Sequence, residues 1–115
     1  MRFIKQSELI IVPFKKYDKL VRDNIIQIIE DGGNKASYRI VEGEEYKKYL
    51  IKKLKEEFEE FVENPIIEEL ADIKEVIDAL QTLDEYRNLD TVKINKANEN
   101  GKFEKKIVLT KVESF

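Results

Sequence analysis

The sequence predicts a mainly α-helical protein built on an antiparallel helical hairpin, and three observations carry that expectation. Two long runs on either side of Asn64 place apolar residues at three- and four-residue steps, the spacing of one helix face. Between them stands Asn64-Pro65, a pair that suits a tight turn. The composition, 42% hydrophobic and 39% charged with four Gly and two Pro, favours helices over loops or disorder. Reflecting the hairpin about a point between Asn64 and Pro65 sets Glu57 opposite Asp72 and Glu60 opposite Glu69. Four carboxylates would then lie on adjacent turns of two facing helices.

In chain order, residues 1–16 form an N-terminal arm whose run Leu9-Ile10-Ile11-Val12-Pro13-Phe14 suits an edge strand, with helix as the weaker alternative. A helical pattern begins at Tyr17, carried by Leu20, Val21, Ile25, Ile28 and Ile29, and stops at Gly32-Gly33 as a glycine C-cap. By spacing alone Lys19, Arg22 and Asp23 read as a solvated face, with Asp18 as the capping residue. Ala36 to Val41 is a strand or a loop. Glu42-Gly43-Glu44-Glu45 opens the long first arm of the hairpin, with acids where the helix dipole favours them. Tyr46, Leu50, Leu54, Phe58, Phe61 and Val62 make its apolar stripe.

The return arm is predicted to start with Asn64 as N-cap and Pro65 as first helical residue. Its stripe is Ile66, Leu70, Ile73, Val76, Ile77, Leu80 and Leu83, running to about Tyr86. Asn88 to Asn100 is polar and reads as a weaker helix or a loop. Residues 101–115 have strand propensity at Ile107-Val108-Leu109 and are expected to pair with the N-terminal arm. At 115 residues, the whole reads as one domain, 1–115, with a helical core over 17–100.

Composition removes whole classes of chemistry. The chain has no Cys and no His, which excludes disulfides, thiolate catalysis, imidazole bases and imidazole metal ligands. Its net charge of −3 argues against general binding to nucleic-acid polymers. No apolar run approaches the roughly 18 residues of a membrane span, and no secretion signal is recognisable, so a cytoplasmic location is expected. Gly32-Gly33-Asn34-Lys35 lacks the spacing of a phosphate-binding P-loop.

The acids are therefore weighed by where they sit on the helix. Glu on a helix is ordinarily solvated charge, and Glu68 and Glu69 also suit a first turn. At about 100° per residue, however, Glu57 falls between Leu54 and Phe61, within or at the edge of the apolar stripe, and Glu69 falls between Ile66 and Ile73 on the buried side. Asp72 lies four before Val76, and Glu60 one turn after Glu57. A lone buried carboxylate would neutralise instead of staying charged. Four converging from two helices suit a divalent cation, as in other helical-bundle metal sites. All-oxygen ligation selects a hard ion, Mg²⁺ first and Mn²⁺ as a substitute, whose shell is completed by water and phosphate oxygens. A nucleotide is the simplest such ligand. Glu56, about 100° round the helix, either orients or deprotonates an attacking water or is simply exposed.

These residues resemble a known pattern. Glu56-Glu57-x-x-Glu60 followed by Glu69-x-x-Asp72 is similar to the EExxE…ExxD signature of the MazG-like nucleoside triphosphate pyrophosphohydrolases, an all-α superfamily that includes phosphoribosyl-ATP pyrophosphohydrolase. Lys19-Leu20-Val21-Arg22-Asp23-x-Ile25 resembles the KLVRDxI opening of a small branch of it, and Asn100-Gly101-Lys102-Phe103 resembles that branch's glycine-phenylalanine ending, with Lys102 in place of the second glycine. The resemblance spans Tyr17 to Leu109, and the spacer between the two acidic motifs is shorter than in many members.

It implies a four-helix-bundle-type fold completed by a second chain, in a dimer or tetramer. It also implies Mg²⁺ held by Glu57, Glu60, Glu69 and Asp72, with Glu56 serving the attacking water and Lys19, Arg22 and Lys53 contacting substrate phosphates. The implied reaction is hydrolysis of a nucleoside triphosphate to the monophosphate and pyrophosphate, a house-cleaning activity. Phosphoribosyl-ATP hydrolysis, or a non-catalytic helical binding module of the same fold, are the alternatives. Tyr17, Tyr38, Tyr46 and Tyr49 either stack on a base or belong to core and rim.

Overall fold

A computed structural model describes residues 15–114, so the expected N-terminal strand lies outside the described residues. The described chain is mainly helical: α1 (Ile25–Asp31), α2 (Gly43–Glu63), α3 (Ile67–Gln81), a 3₁₀ turn (Asp84–Tyr86) and α4 (Leu89–Asn100). No strand occurs among the described residues. The chain divides into two compact units, Met1–Leu80 and Gln81–Phe115. No described helix is long and apolar enough to cross a membrane.

In the first unit, α1 begins at Ile25, well after the start expected from the apolar spacing at Tyr17. The stretch before it is non-helical because its side chains are committed to α2 and α3. Asp18 accepts a hydrogen bond from the Tyr49 hydroxyl, and its carbonyl accepts one from Lys52 at 3.4 Å. Lys19 and Arg22 reach Glu56 and Asp72. Asp18 therefore ties this strap to α2 and caps no helix. The glycine stop of α1 is as expected. Gly33 N–H donates to the Glu30 carbonyl at 3.0 Å and Asn34 N–H to the Ile29 carbonyl at 3.2 Å, the paired bonds of a Schellman ending. Gly33 takes φ +87°, a conformation that other residues adopt at a cost.

The first arm of the hairpin, α2, opens after an extended Glu42, with Glu44 and Glu45 in its first turn. It closes at Glu63 because Pro65 drives the residue before it out of the α region: Asn64 sits at φ −140°, ψ 85°. Asn64 thus caps the end of α2 and does not start α3. Ile66 N–H donates back to the Asn64 carbonyl at 2.8 Å, a tight three-residue turn that postpones α3 to Ile67. The Ile66 carbonyl then accepts the first α3 bonds, from Glu69 at 3.1 Å and Leu70 at 3.2 Å.

The buried face of α2 is rotated from the expected one. Leu50, Lys53 and Glu57 are buried, flanked by half-buried Tyr46, Leu54 and Phe61. Phe58 and Val62, assigned above to the apolar stripe, are 57% and 63% exposed. On α3, Glu69 and Val76 are buried, whereas Ile67 and Leu70 are 77% and 50% exposed. Among the described residues the buried apolar side chains are Ile25, Leu50 and Val76, and the buried polar ones Lys53, Glu57 and Glu69. Among the described residues the fully buried positions are thus shared equally between apolar and charged side chains.

The second unit contains the 3₁₀ turn and α4. The return arm ends at Gln81, short of Tyr86, and the polar stretch that follows resolves as the helix Leu89–Asn100 with Asn88 as its N-cap. Gln81 Nε2 donates to Asp90 Oδ2 at 3.0 Å, and Gly101, at φ +83°, ends α4 with its N–H on the Ala97 carbonyl at 2.8 Å. Residues 101–114, expected to be strand-like, form neither helix nor strand. A strand needs a partner's hydrogen bonds, and Ile107, Val108 and Leu109 are 76–82% exposed.

Candidate metal centre

The hairpin brings Glu57 of α2 together with Glu69 and Asp72 of α3. One carboxylate oxygen from each lies within 4.8 Å of the others. Glu57 and Glu69 are each 3% exposed, and Asp72 is half-buried. Oε2 of Glu69 is closed off from solvent. Local sequence accounts for this placement. Glu57 follows buried Leu50 by seven residues, on the same face of α2. Glu69 precedes buried Val76 by seven, and Asp72 is one turn further along α3. The turn at Asn64–Ile66 then folds one buried face onto the other. Glu60 is half-buried and stands outside this trio.

Cationic groups surround the trio. Lys53, itself 9% exposed, places Nζ 3.5 Å from Glu57 Oε1 and 3.5 Å from Glu56 Oε1. Lys19 Nζ lies 3.2 Å from the same Glu56 oxygen. Arg22 Nη2 donates to Asp72 Oδ1 at 2.8 Å. Glu56 is therefore clasped by two ammonium groups and is not simply exposed. Lys19 belongs to the acidic centre, and so does Arg22, which pairs with Asp72 while its side chain stays 53% exposed. Sequence spacing does not connect Lys19 with Glu56 or Arg22 with Asp72, which are 37 and 50 residues apart. Only the folded strap makes those pairs.

The donor set fits a hard divalent ion. Oxygens on a Mg²⁺ octahedron at about 2.0–2.1 Å lie roughly 3–4 Å apart. Oxygens within 4.8 Å of one another need only a small inward adjustment to share one ion. Lys53 and Arg22 offset part of the negative charge, which makes burial of these carboxylates tolerable.

A second polar cluster went unrecognised in the sequence. Arg39 forks onto Glu45 with bonds of 3.0 and 2.8 Å, and also donates to the Tyr49 hydroxyl at 3.2 Å. The Tyr49 hydroxyl donates to Asp18. The Arg39 bond holds the Glu45 carboxyl below its ordinary range, and the Asp18 bond raises the Tyr49 phenol above its own. Arg39, gripped by Glu45, stays charged at any accessible pH. The only local signal was the pairing of Arg39 with Glu45 across the start of α2. Of the aromatic candidates for base stacking, Tyr17 and Tyr38 are 45% and 67% exposed, Tyr46 is half-buried, and Tyr49 is engaged as described.

Comparison with family models, with curated proteins and with solved structures returned no match to this chain.

Proposed function

We propose that this chain is a divalent-cation-dependent hydrolase of nucleoside triphosphates that releases pyrophosphate and leaves the nucleoside monophosphate. The observation that carries the reading is the trio Glu57, Glu69 and Asp72, with oxygens within 4.8 Å and two of the three side chains buried. The resemblance of the acidic motifs and of the Lys19–Ile25 stretch to the MazG-like superfamily supports it. Glu57, Glu69 and Asp72 would hold Mg²⁺, or Mn²⁺ in its place, and Glu60 would join by a rotamer change or through water. The ion supplies charge neutralisation at the phosphates and a more acidic bound water.

In the reaction, a water oxygen bonds to the α-phosphorus and the bridging oxygen between the α- and β-phosphates leaves with pyrophosphate. Glu56, immobilised between Lys19 and Lys53, orients the incoming water and receives its proton. Lys53 is too enclosed to be a freely reaching phosphate ligand, so its part is to hold Glu56 and Glu57. Lys19 and Arg22 lie nearer the surface, with side chains 20% and 53% exposed, and contact the phosphates.

The functional form is a homo-oligomer. Ile51, Lys55, Phe58 and Val62 follow one another at four-, three- and four-residue steps along exposed α2, and Ile67, Leu70, Lys74 and Ile77 at three-, four- and three-residue steps along α3. These are the spacings of helices that pack in a bundle. The α3 residues line an open apolar groove with Ala71 and Ile73. A second hairpin against these stripes would complete a four-helix bundle.

The test is pyrophosphate release from a panel of nucleoside triphosphates, with and without Mg²⁺. Cation-dependent release by the intact chain, lost in Glu57→Gln and in Asp72→Asn, is the expected result. Release that survives either substitution removes the trio from the mechanism. No release from any triphosphate, with Mg²⁺ still raising the melting temperature, would leave a cation-binding helical module.

A further inference from the structure

The three cations at the acidic centre differ in how tightly they are enclosed. Lys53 is shut between Glu56 and Glu57, with a side chain 10% exposed, and Lys19 is 20% exposed. Arg22 is 53% exposed and touches the trio itself, through Asp72 Oδ1 at 2.8 Å. Its backbone is anchored, since the Ile25 N–H donates to the Arg22 carbonyl at 3.1 Å. Its side chain is thus a tether with a fixed root and an accessible head.

A half-exposed ion pair of this kind is weak and readily exchanged. Asp72 cannot serve a guanidinium and a divalent ion equally well, because the two positive partners compete for one carboxylate and repel each other. The planar guanidinium fork matches a phosphate as well as it matches a carboxylate.

Resting on the cation reading above, we propose that Arg22 is a placeholder that alternates between two partners. In the cation-free chain it occupies Asp72 and stands in for part of the missing charge. When Asp72 turns to the ion, the Arg22 guanidinium is released to the phosphate chain of the substrate. Binding is thereby ordered, with cation before phosphate, and the free chain is kept from capturing phosphates it cannot hydrolyse.

The proposal predicts opposite signs for one substitution, which a merely structural salt bridge does not. Binding of Mn²⁺ alone, followed by electron paramagnetic resonance, should be roughly three- to tenfold tighter in Arg22→Gln than in the parent, because one competing charge is gone. Binding of inorganic tripolyphosphate in saturating Mg²⁺, followed by calorimetry, should be about tenfold weaker in the same variant. Arg22→Lys keeps the charge without the fork; it should leave Mn²⁺ binding near the parental value and recover only part of the tripolyphosphate affinity. It also keeps the test decisive should Arg22→Gln fail to fold. Mn²⁺ affinity that is unchanged or weaker in Arg22→Gln overturns the placeholder role, as does tripolyphosphate affinity that stays at the parental value. A parent chain that binds no Mn²⁺ overturns the cation reading itself, and this inference with it.

Discussion

The two faces of the hairpin are inverted relative to each other. Toward the interior, α2 and α3 bury Lys53, Glu57 and Glu69, each less than 10% exposed. Toward solvent the same helices present Phe58, Val62, Ile67 and Leu70, each at least half exposed. Apolar residues are ordinarily the buried ones, and charged side chains are almost never enclosed unless paired. Lys53 meets that condition for Glu57, and Arg22 pairs with the half-buried Asp72 beside them. Among the described residues Ile51, Phe58, Val62, Ile67 and Leu70 of these stripes stay exposed, and their spacing is that of a packing surface. The comparison teaches that this hairpin encloses charge in its interior and leaves large apolar side chains in the open among the described residues.

The most disruptive way to test that contrast is to remove the cation from the interior. Lys53→Met should destabilise the fold by about 3 kcal/mol or more, because Glu57 is then left enclosed with less compensating charge. The shift in urea midpoint measures it. Replacing the pair together, Lys53→Met with Glu57→Leu, should recover most of that loss, since an apolar pair has no charge to desolvate. Failure to recover would mean that the loss does not come from the enclosed charge of Glu57 but from another contact of Lys53, such as that with Glu56.

The outer face should respond in another currency. If the proposed oligomer forms through this face, Phe58→Lys with Leu70→Glu should give a monomer in sedimentation velocity, while changing hairpin stability by only about 0.5 kcal/mol. A large loss of stability without a change of mass would show that these side chains are covered by their own chain.

The smallest effect concerns the exposed cluster at the start of α2. Glu45 is held below the usual carboxylate range by Arg39, so its contribution is present above the unfolded value and lost as pH falls through the folded one. Tyr49 is raised by Asp18, so its contribution is present below the ordinary tyrosine range and lost as pH rises through the folded value. Carbon-detected titration of the Glu45 carboxyl, repeated in Arg39→Gln, should show its midpoint return to normal with little change in melting temperature. A midpoint that does not move would break the assignment of Arg39 as the cause.

Much of the hairpin was legible in the sequence because its signals are local. Apolar recurrence marks α2 and α3, Gly32-Gly33 stops α1, and Asn64-Pro65 marks the reversal. Even there the prediction misplaced the boundary by two residues, since the turn closed by Ile66 on Asn64 is a backbone geometry without a residue signature. The stripe of α2 was misjudged at Phe58 and Val62 because hydrophobicity was taken as the guide to burial. In this hairpin Lys53 and Glu57 hold the buried positions. Of the four expected ligands, Glu57, Glu69 and Asp72 were brought together and Glu60 was not. Reflection about the turn assumes a helix that starts at once, and the delayed start of α3 changes which residues face each other.

The sequence by itself determined the helical class, the punctuation of the hairpin, and the chemistry left to a chain without His or Cys, because these follow from periodicity, backbone geometry and side-chain inventory. Only the tertiary structure decided that the strap before Ile25 is not a helix, that Lys19 and Arg22 meet Glu56 and Asp72, and which face of α2 is the inside. Those outcomes depend on pairings between residues up to 50 positions apart, and local propensity carries no information about which distant charge an ion pair will find.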